Sequence, residues 1–196
     1  MASRDDYRRR LAKPVTTHVP APRTPNRHNE APTRARHSAA DYTWAVARLA
    51  LGWIFLWAFL DKTFGLGFAT APAKAWLAGG SPTMGFLTGA DGTFGTAFNG
   101  LAGQAWVDWL FMLGLLGVGG ALILGAGLRI AAVAGGLMLL LMWAAALPLT
   151  TNPFMDDHLI YAVLLAGLAF ANAGDTLGIG RWWGNTRLVR RMPYLK

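Results

Sequence analysis

The sequence predicts an all-α membrane protein, a four-helix transmembrane bundle with short interfacial helices in the first outer loop. Hydrophobic residues make up 54% of the 196 residues, and the mean hydropathy is +0.33. Charged residues make up only 14%, whereas a soluble domain normally carries about 25%. Cysteine is absent, which excludes disulfides, thiolate metal sites and thiol redox chemistry by this chain.

Four apolar segments are long enough to cross a bilayer, for which about 20 helical residues suffice. We predict these spans at residues 42–64, 105–125, 128–149 and 153–174. Only a short Gly-Ala-Gly turn separates the second span from the third, which predicts a tight antiparallel hairpin. Small residues recur every fourth position there and are expected to allow close helix contact, namely Gly117, Ala121 and Gly125. Asn152 and Pro153 suit the N-cap and first position of the fourth helix.

The connection at residues 65–103 is rich in Gly, Thr and Pro and predicts three short helices. Pro72 opens the first, within APAKAWLA. Ser81 and Pro82 suit the N-cap and first position of the second. One face of the third carries Phe94, Phe98 and Leu101. We interpret all three as interfacial helices that lie over the bundle.

The net charge of +8 is concentrated at the two ends of the chain. Residues 1–40 predict a disordered basic tail and residues 181–196 a basic aromatic tail, on either side of a membrane domain at residues 41–180. Four spans put both ends on one side. The positive-inside rule makes that side the cytoplasm, in a multi-pass protein of the plasma membrane. Basic tails also suit nucleic acid, but an anionic inner leaflet explains the charge more simply, so no nucleic-acid partner is expected.

The first span carries charges on one helical face. Spacings of four, three, four and three place on it Arg48, Gly52, Phe55, Phe59 and Lys62. Charge at membrane depth is costly and usually functional, so we predict that this face points into the bundle. Arg48 is predicted in the inner half and Lys62 at the outer rim. The structural alternative for Arg48 is an ion pair with Asp175, at the end of the fourth span.

The predicted topology brings ionisable groups from three helices to the outer membrane level. They are Asp61, Lys62, Asp108, Asp156, Asp157 and His158. A covered polar pocket is therefore predicted beneath the long connection. On the fourth span, one helical face carries His158, Tyr161, Leu165, Leu168 and Asn172. We predict that the ligand of this pocket is bound by Lys62, Asp108, His158 and Tyr161.

Each of these charges also has a purely structural explanation. Lys62 near a helix C-terminus and the acids in the first turns of later spans have signs that the helix dipole favours. Asp61 has the opposite sign, so it is expected to be exposed or paired with Lys62 or Lys74. Three adjacent residues on a helix are not expected to converge on one ion, so Asp156, Asp157 and His158 predict no metal site.

The first span, RLALGWIFLWAFLDKTFG, resembles the opening signature of DoxX-family membrane proteins. In that family an arginine, a glycine four residues on and a lysine near the helix end recur. They correspond here to Arg48, Gly52 and Lys62. The segments NPFMDDHLIYA and GDTLGIGRWW are also similar to the larger DoxX-type proteins, so the resemblance covers residues 43–183. It implies a DoxX/DoxD-like bundle of four transmembrane helices.

The family takes its name from a terminal quinol oxidase, and a related branch includes the membrane subunit of thiosulfate:quinone oxidoreductase. The resemblance therefore implies a membrane subunit of, or an accessory to, a quinone-linked oxidoreductase system. Quinone would be its cofactor, with none covalently bound, and a soluble or membrane redox subunit its partner. Whether the chain is itself catalytic, and its oligomeric state, stay open.

Two other functions compete. A non-catalytic membrane anchor or assembly protein would recruit redox or stress-response partners through the basic tails and the covering connection. A small-solute transporter would use Arg48 and Lys62 along an anion path. The sequence has no evident inverted repeat or broken span, which counts against the transporter.

Overall fold

A computed structural model describes residues 37–150 and 152–196. All regular elements within these ranges are helical, which confirms the all-α class. The helices are α1 (Ala39–Phe64), α2 (Met84–Thr88), α3 (Gly95–Asn99), α4 (Ala105–Leu124), α5 (Leu128–Ala146), α6 (Asp157–Phe170), α7 (Gly180–Gly184) and α8 (Arg187–Arg191). Most of the predicted basic tail at residues 1–40 lies outside the described residues.

Three of these helices, α1, α4 and α5, are long and apolar enough to cross a membrane. Helix α1 begins three residues before the predicted span because Ser38 forms a capping box. Its hydroxyl accepts from the Asp41 N–H, and the Asp41 carboxylate accepts from the Ser38 N–H at 2.7 Å. Helix α4 matches its prediction within one residue. Helix α5 ends at Ala146, because Pro148 disfavours helical backbone in the residue before it.

The predicted fourth span, residues 153–174, is a shorter helix. Helix α6 has 14 residues, about 21 Å of helix against about 30 Å of hydrocarbon. The predicted N-cap at Asn152 is wrong. The Asn152 amide oxygen accepts instead from the N–H groups of Phe154 and Met155, and the resulting turn delays the helix. Asp156 is the N-cap and accepts from the Leu159 N–H at 3.3 Å.

The four longest helices pack in pairs, α4 along α1 and α6 along α5, with α5 also against α4. Their shared core includes Leu51, Phe55, Met112, Leu115, Val118, Leu122, Leu139, Leu165 and Leu168. The predicted inward face of α1 is confirmed. Arg48, Gly52 and Phe55 are buried, and Phe59 and Lys62 are half-buried. Many apolar side chains point outward instead, as on a lipid-facing surface, including Leu113, Val133, Val163 and Phe170.

The close contacts between α1 and α4 lie at two glycines outside the predicted four-residue series. A Cβ added at Gly119 would lie 2.8 Å from the Leu56 nitrogen, and one at Gly52 would lie 2.9 Å from the Leu122 Cβ. These two glycines therefore let α4 approach α1. The prediction that Gly117 serves helix contact is wrong, since nothing lies within 4 Å of its added Cβ. The four-residue spacing is correct for a helix face, but it does not say which face meets a neighbour.

Residues 65–104, which we call the cap, connect α1 to α4. The predicted first interfacial helix is two 3-10 turns, Pro72–Lys74 and Trp76–Ala78, and α2 and α3 are five residues each. Trp76 packs edge-on against Trp109 of α4 with 4.6 Å between ring centroids. Gly92 approaches the Leu147 carbonyl beyond α5 so closely that a Cβ would overlap it. The cap therefore contacts the ends of α4 and α5 as well as α1.

Candidate functional site

Asp108, in the first turn of α4, fastens the cap. It is 6% exposed. Its Oδ1 accepts from the Ser81 hydroxyl at 2.9 Å, the Thr83 hydroxyl at 2.6 Å and the Thr83 N–H at 3.1 Å. The sequence placed Asp108 in a ligand pocket and Ser81 at a helix N-cap, and it gave Thr83 no role. Three bonds to one carboxylate oxygen make Asp108 an anchor for the cap.

Asp61, near the end of α1, holds the start of the cap. The prediction that it is exposed or paired with a lysine is wrong. It is 2% exposed and forms no ion pair within the part of the chain that the structure describes. Its Oδ1 accepts from the Phe68 N–H at 3.3 Å, because the chain reverses at Gly65 in a left-handed conformation (φ 64°). Its Oδ2 is buried and has no hydrogen-bond partner among the described residues.

Lys62 forms no salt bridge within residues 37–150 and 152–196, and neither does Lys74, which is exposed in the cap. Lys62 is half-buried, and its Nζ lies 5.9 Å from the centroid of the Phe111 ring. A cation at this distance from an aromatic face gains a modest attraction. Phe111 is one turn along α4 from Asp108, so Lys62 lies beside the helix turn that anchors the cap.

His158 is held by two acids at the start of α6. Its Nδ1 lies 2.7 Å from Asp156 Oδ2 and 3.5 Å from Asp157 Oδ1. Because a carboxylate only accepts, Nδ1 carries a proton and donates to Asp156, and in the neutral imidazole Nε2 is then an acceptor. This is the orientation in which a histidine serves as a general base.

The prediction that the side chains of Asp156, Asp157 and His158 cannot come close to one point is wrong. One ligand atom from each lies within 4.8 Å of the others. Asp156 is the N-cap, with extended backbone (φ −138°, ψ −175°), so its carboxylate is free of the helical spacing that the sequence argument assumed. The internal hydrogen bond to His158 accounts for the cluster without an ion.

Tyr161 lies one turn further along α6, is half-buried and packs against the shared core. Its hydroxyl has no hydrogen-bond partner among the described residues. No hydrogen bond or ion pair between described residues joins Lys62, Asp108, His158 and Tyr161 to one another. Two acids of the predicted cluster hold the cap, and two others hold His158. That the four residues bind one ligand stays a prediction.

The opposite end is organised by Arg48, which is fully buried. Its Nη1 donates to the carbonyls of Leu122 and Ile123, the latter at 3.0 Å, at the C-terminal end of α4. Its Nη2 donates to the carbonyls of Thr176 and Leu177, at 3.4 Å and 2.8 Å. A cation is favoured at a helix C-terminus, where the last carbonyls have no partners within the helix.

Glycines make room for this arrangement. A Cβ at Gly174 would overlap the Gly125 carbonyl oxygen, and one at Gly178 would lie 3.2 Å from Arg48 Nη2. The alternative that pairs Arg48 with Asp175 is wrong. Asp175 Oδ2 binds Lys196 Nζ at 3.1 Å, and its Oδ1 is buried without a hydrogen-bond partner among described residues. Because backbone carbonyls rather than a carboxylate bind Arg48, the sequence could not identify them.

At the Arg48 end, His37 connects the residues before α1 to Thr176 and Arg181 near the C-terminus. The Arg181 guanidinium only donates, so His37 Nε2 accepts from it at 2.7 Å, and Nδ1–H donates to the Thr176 hydroxyl at 2.9 Å. No feature of the sequence predicted this contact, because it links residues more than a hundred positions apart.

The fold and composition define the class, an α-helical membrane protein with buried charges at both ends of its helices. Comparison of the chain with protein families, with curated proteins and with solved structures finds no match. The resemblance to the DoxX family therefore stays a prediction carried by the residues quoted above.

Proposed function

We propose that the chain is a four-span integral protein of the plasma membrane, with α6 and its flanking segments as the fourth span and the cap on the outer side. The long apolar helices and their outward-facing apolar side chains support this arrangement. The arginines at the Arg48 end, opposite the cap, support a cytoplasmic location for both termini.

Cysteine labelling tests the orientation, because the chain has no cysteine of its own. Asp91 in the cap and Asn185 beyond α7 are both exposed. With a membrane-impermeant maleimide on intact cells, Asp91→Cys should react at once and Asn185→Cys only after lysis. The reverse pattern would invert the proposed topology.

We further propose that the protein serves as the membrane subunit of, or an accessory to, a quinone-linked oxidoreductase, as a DoxX-like protein would. The observation that carries this proposal is Lys62. It is a half-buried cation at the rim of the bundle, beside an aromatic ring and without a carboxylate partner in the described chain. Such a cation can donate to a ligand carbonyl oxygen, whereas Arg48 is already used by backbone carbonyls.

Other residues at the cap end have the chemistry that a quinone site needs. The half-buried rings of Phe59 and Phe111 offer apolar walls, and the Tyr161 hydroxyl offers a second donor. His158, held by Asp156 through Nδ1, presents Nε2 as a proton acceptor. A bound quinone would carry two electrons and two protons between this site and a redox partner subunit. The chain's own part is then to bind the ring, exclude water and accept a proton at His158.

Quinone binding to the purified protein tests the proposal. Solvent extraction followed by mass spectrometry should recover a co-purifying quinone, and added quinone should quench the intrinsic tryptophan fluorescence. Lys62→Gln should weaken binding at least about tenfold, because a hydrogen bond to a charged group is worth about 1.5–3 kcal/mol. Lys74→Gln is the matched control, since Lys74 is exposed in the cap. Equal binding by the two variants would refute a role for Lys62.

The anchor function is favoured by a different observation. Asp61 and Asp108 hold the cap and Arg48 holds the opposite end, so three of the buried charges have structural partners. A protein of this kind would recruit partners through its basic ends. Recovery of a stoichiometric soluble partner that is lost on deleting residues 1–40, with no quinone bound, would favour it. The transporter has the least support, because carbonyls occupy the Arg48 guanidinium.

A further inference from the structure

The cations at the Arg48 end fall into two groups. In the first, each cation has a protein partner. Arg129 donates to the Pro193 carbonyl at 3.0 Å, Arg181 to His37, and Lys196 pairs with Asp175. The second group consists of Arg187, Arg190 and Arg191 in α8. All three are exposed, and none of their guanidiniums forms a hydrogen bond or ion pair with another described residue. Three guanidiniums within one short helix are thus available to an external anion.

The segment that carries these arginines is held against the bundle. Val189 of α8 is buried, and the Thr186 hydroxyl caps the helix by accepting from the Val189 N–H at 3.3 Å. The Trp183 indole N–H donates to the Leu195 carbonyl at 2.8 Å. Because the backbone is fixed on both sides of α8, the arginines have a defined position relative to the bundle and lose less freedom on binding an anion.

Exposed apolar side chains lie in the same segment of the chain as the arginines. Trp182 is 67% exposed and Tyr194 61%, and Leu188 lies within α8 itself and is also exposed. Leu177, Ile179 and Phe170, the last residue of α6, are also exposed. Cations and aromatic rings side by side, next to the apolar surface of the bundle, are the composition of a membrane interface.

We propose that Arg187, Arg190 and Arg191 form a binding surface for the phosphate headgroups of anionic lipids. The inference rests on the proposed membrane location, with this end at the cytoplasmic leaflet. Guanidiniums bind phosphate oxygens through paired N–H donors, and the exposed rings and Leu188 enter the headgroup region beside them. The apolar neighbours favour a lipid over a nucleic acid, because Leu188 has no counterpart to contact on a phosphate backbone.

Lipid binding by the full chain in detergent tests this surface without requiring quinone or activity. Phosphatidylglycerol and phosphatidylcholine are added separately. Thermal unfolding reports stabilisation by each lipid, and native mass spectrometry counts the lipids retained. Each basic residue near an anionic surface contributes about 1 kcal/mol, so Arg187→Gln, Arg190→Gln and Arg191→Gln together should weaken phosphatidylglycerol binding roughly a hundredfold.

The matched control replaces Arg8, Arg9 and Arg10 by Gln and removes the same net charge from the other end of the sequence. It should lose much less phosphatidylglycerol affinity than the α8 variant. A variant with lysine at positions 187, 190 and 191 keeps the charge and should retain most of the affinity. The α8 glutamine variant should unfold like the parent when no lipid is added, because its three substituted side chains are exposed.

Equal losses in the two glutamine variants would overturn the proposal, since they would show an effect of net charge alone. Equal binding of phosphatidylcholine and phosphatidylglycerol by the parent protein would also overturn it. A short single-stranded DNA could stabilise the protein as much as phosphatidylglycerol does and lose that effect in the α8 variant. This result would overturn the lipid proposal, because it would show that the surface binds polyanions in general. The quinone proposal is unaffected by any of these results, because quinone binding is measured separately through Lys62.

Discussion

The two ends of the helical bundle use buried charge in opposite ways. At one end a single cation, Arg48, donates to carbonyls of the α4 terminus and of the segment after α6. At the other end two anions, Asp61 and Asp108, accept from N–H and hydroxyl groups of the cap. In both cases a buried charge bonds to polar groups that have no partner within a helix, either at a helix end or in the segments between helices.

The difference lies in what remains available. At the Arg48 end the buried guanidinium bonds through both terminal nitrogens, and the nearby lysine pairs with Asp175. At the cap end Lys62 and the Nε2 atom of His158 have no hydrogen-bond partner in the described chain. Each end also keeps buried polar atoms without a partner among the described residues, namely Arg48 Nε and Asp175 Oδ1 at one end and Asp61 Oδ2 at the other. The cap end is the better candidate for a ligand because its cation and the second nitrogen of His158 are not held by protein groups.

The sharpest way to break this comparison is Arg48→Met. Four carbonyls would lose their donor within a buried site, and breaking a buried charged contact costs about 3–5 kcal/mol. We expect the largest loss in free energy of unfolding of any substitution considered, measured in detergent by thermal or denaturant unfolding. Arg48→Lys should recover only part of it, because an ammonium cannot reproduce the planar fork.

Arg129→Met is the matched control for Arg48. Arg129 also donates to a carbonyl, that of Pro193, but it does so at an exposed site. The substitution should change the free energy of unfolding by no more than about 0.5–1 kcal/mol. If Arg48→Met changed the free energy of unfolding as little as Arg129→Met, the structural role inferred for Arg48 would be refuted.

The close packing of α4 on α1 is tested by Gly119→Ala. The added methyl would meet the Leu56 backbone nitrogen at 2.8 Å, so α4 would have to move away from α1. Overpacking of this kind costs about 1–3 kcal/mol. Gly117→Ala, two residues away on an open face, should be neutral or stabilise by up to about 1 kcal/mol through helix propensity. Equal effects of the two substitutions on the unfolding midpoint would contradict the close packing of α1 and α4.

The long helices could be predicted from the sequence because apolar length is a property of the chain itself. Helices α1, α4 and α5 begin within three residues of their predicted starts. The start of α6 could not be predicted, because Asn152 and Asp156 are both good N-caps. Only the structure shows that Asn152 closes a turn while Asp156 caps the helix.

The buried face of α1 was also predictable, since helical spacing decides which residues share a face. The partners of its charges were not. Arg48 was expected to pair with Asp175, and Asp61 with a lysine. A sequence shows which side chains are charged, but it does not show which backbone carbonyls and N–H groups lie beside them. The same limit applies to Asp108, whose partners Ser81 and Thr83 lie in the cap and carry no charge.

Asp108→Asn tests whether Asp108 anchors the cap. Asparagine keeps one acceptor oxygen but loses the charge that strengthens three hydrogen bonds, so we expect a loss of about 1–2 kcal/mol. The effect should be local. Hydrogen exchange at residues 81–88 should rise, while exchange in α5 and α6 stays unchanged. Asp91→Asn, exposed in the same cap, is the control. Uniform loss of protection across the bundle would mean that Asp108 supports the core rather than the cap.

The smallest effect on stability is expected at Lys62. A half-buried cation without a carboxylate partner stabilises the fold little, so Lys62→Gln should shift the free energy of unfolding by less than about 0.5–1 kcal/mol. The same substitution is expected to weaken quinone binding at least about tenfold. Lys62→Gln should therefore weaken quinone binding with little loss of stability, whereas Arg48→Met should cause a large loss of stability. A large loss of stability in Lys62→Gln would make Lys62 a structural residue like Arg48, and the contrast between the two ends would disappear.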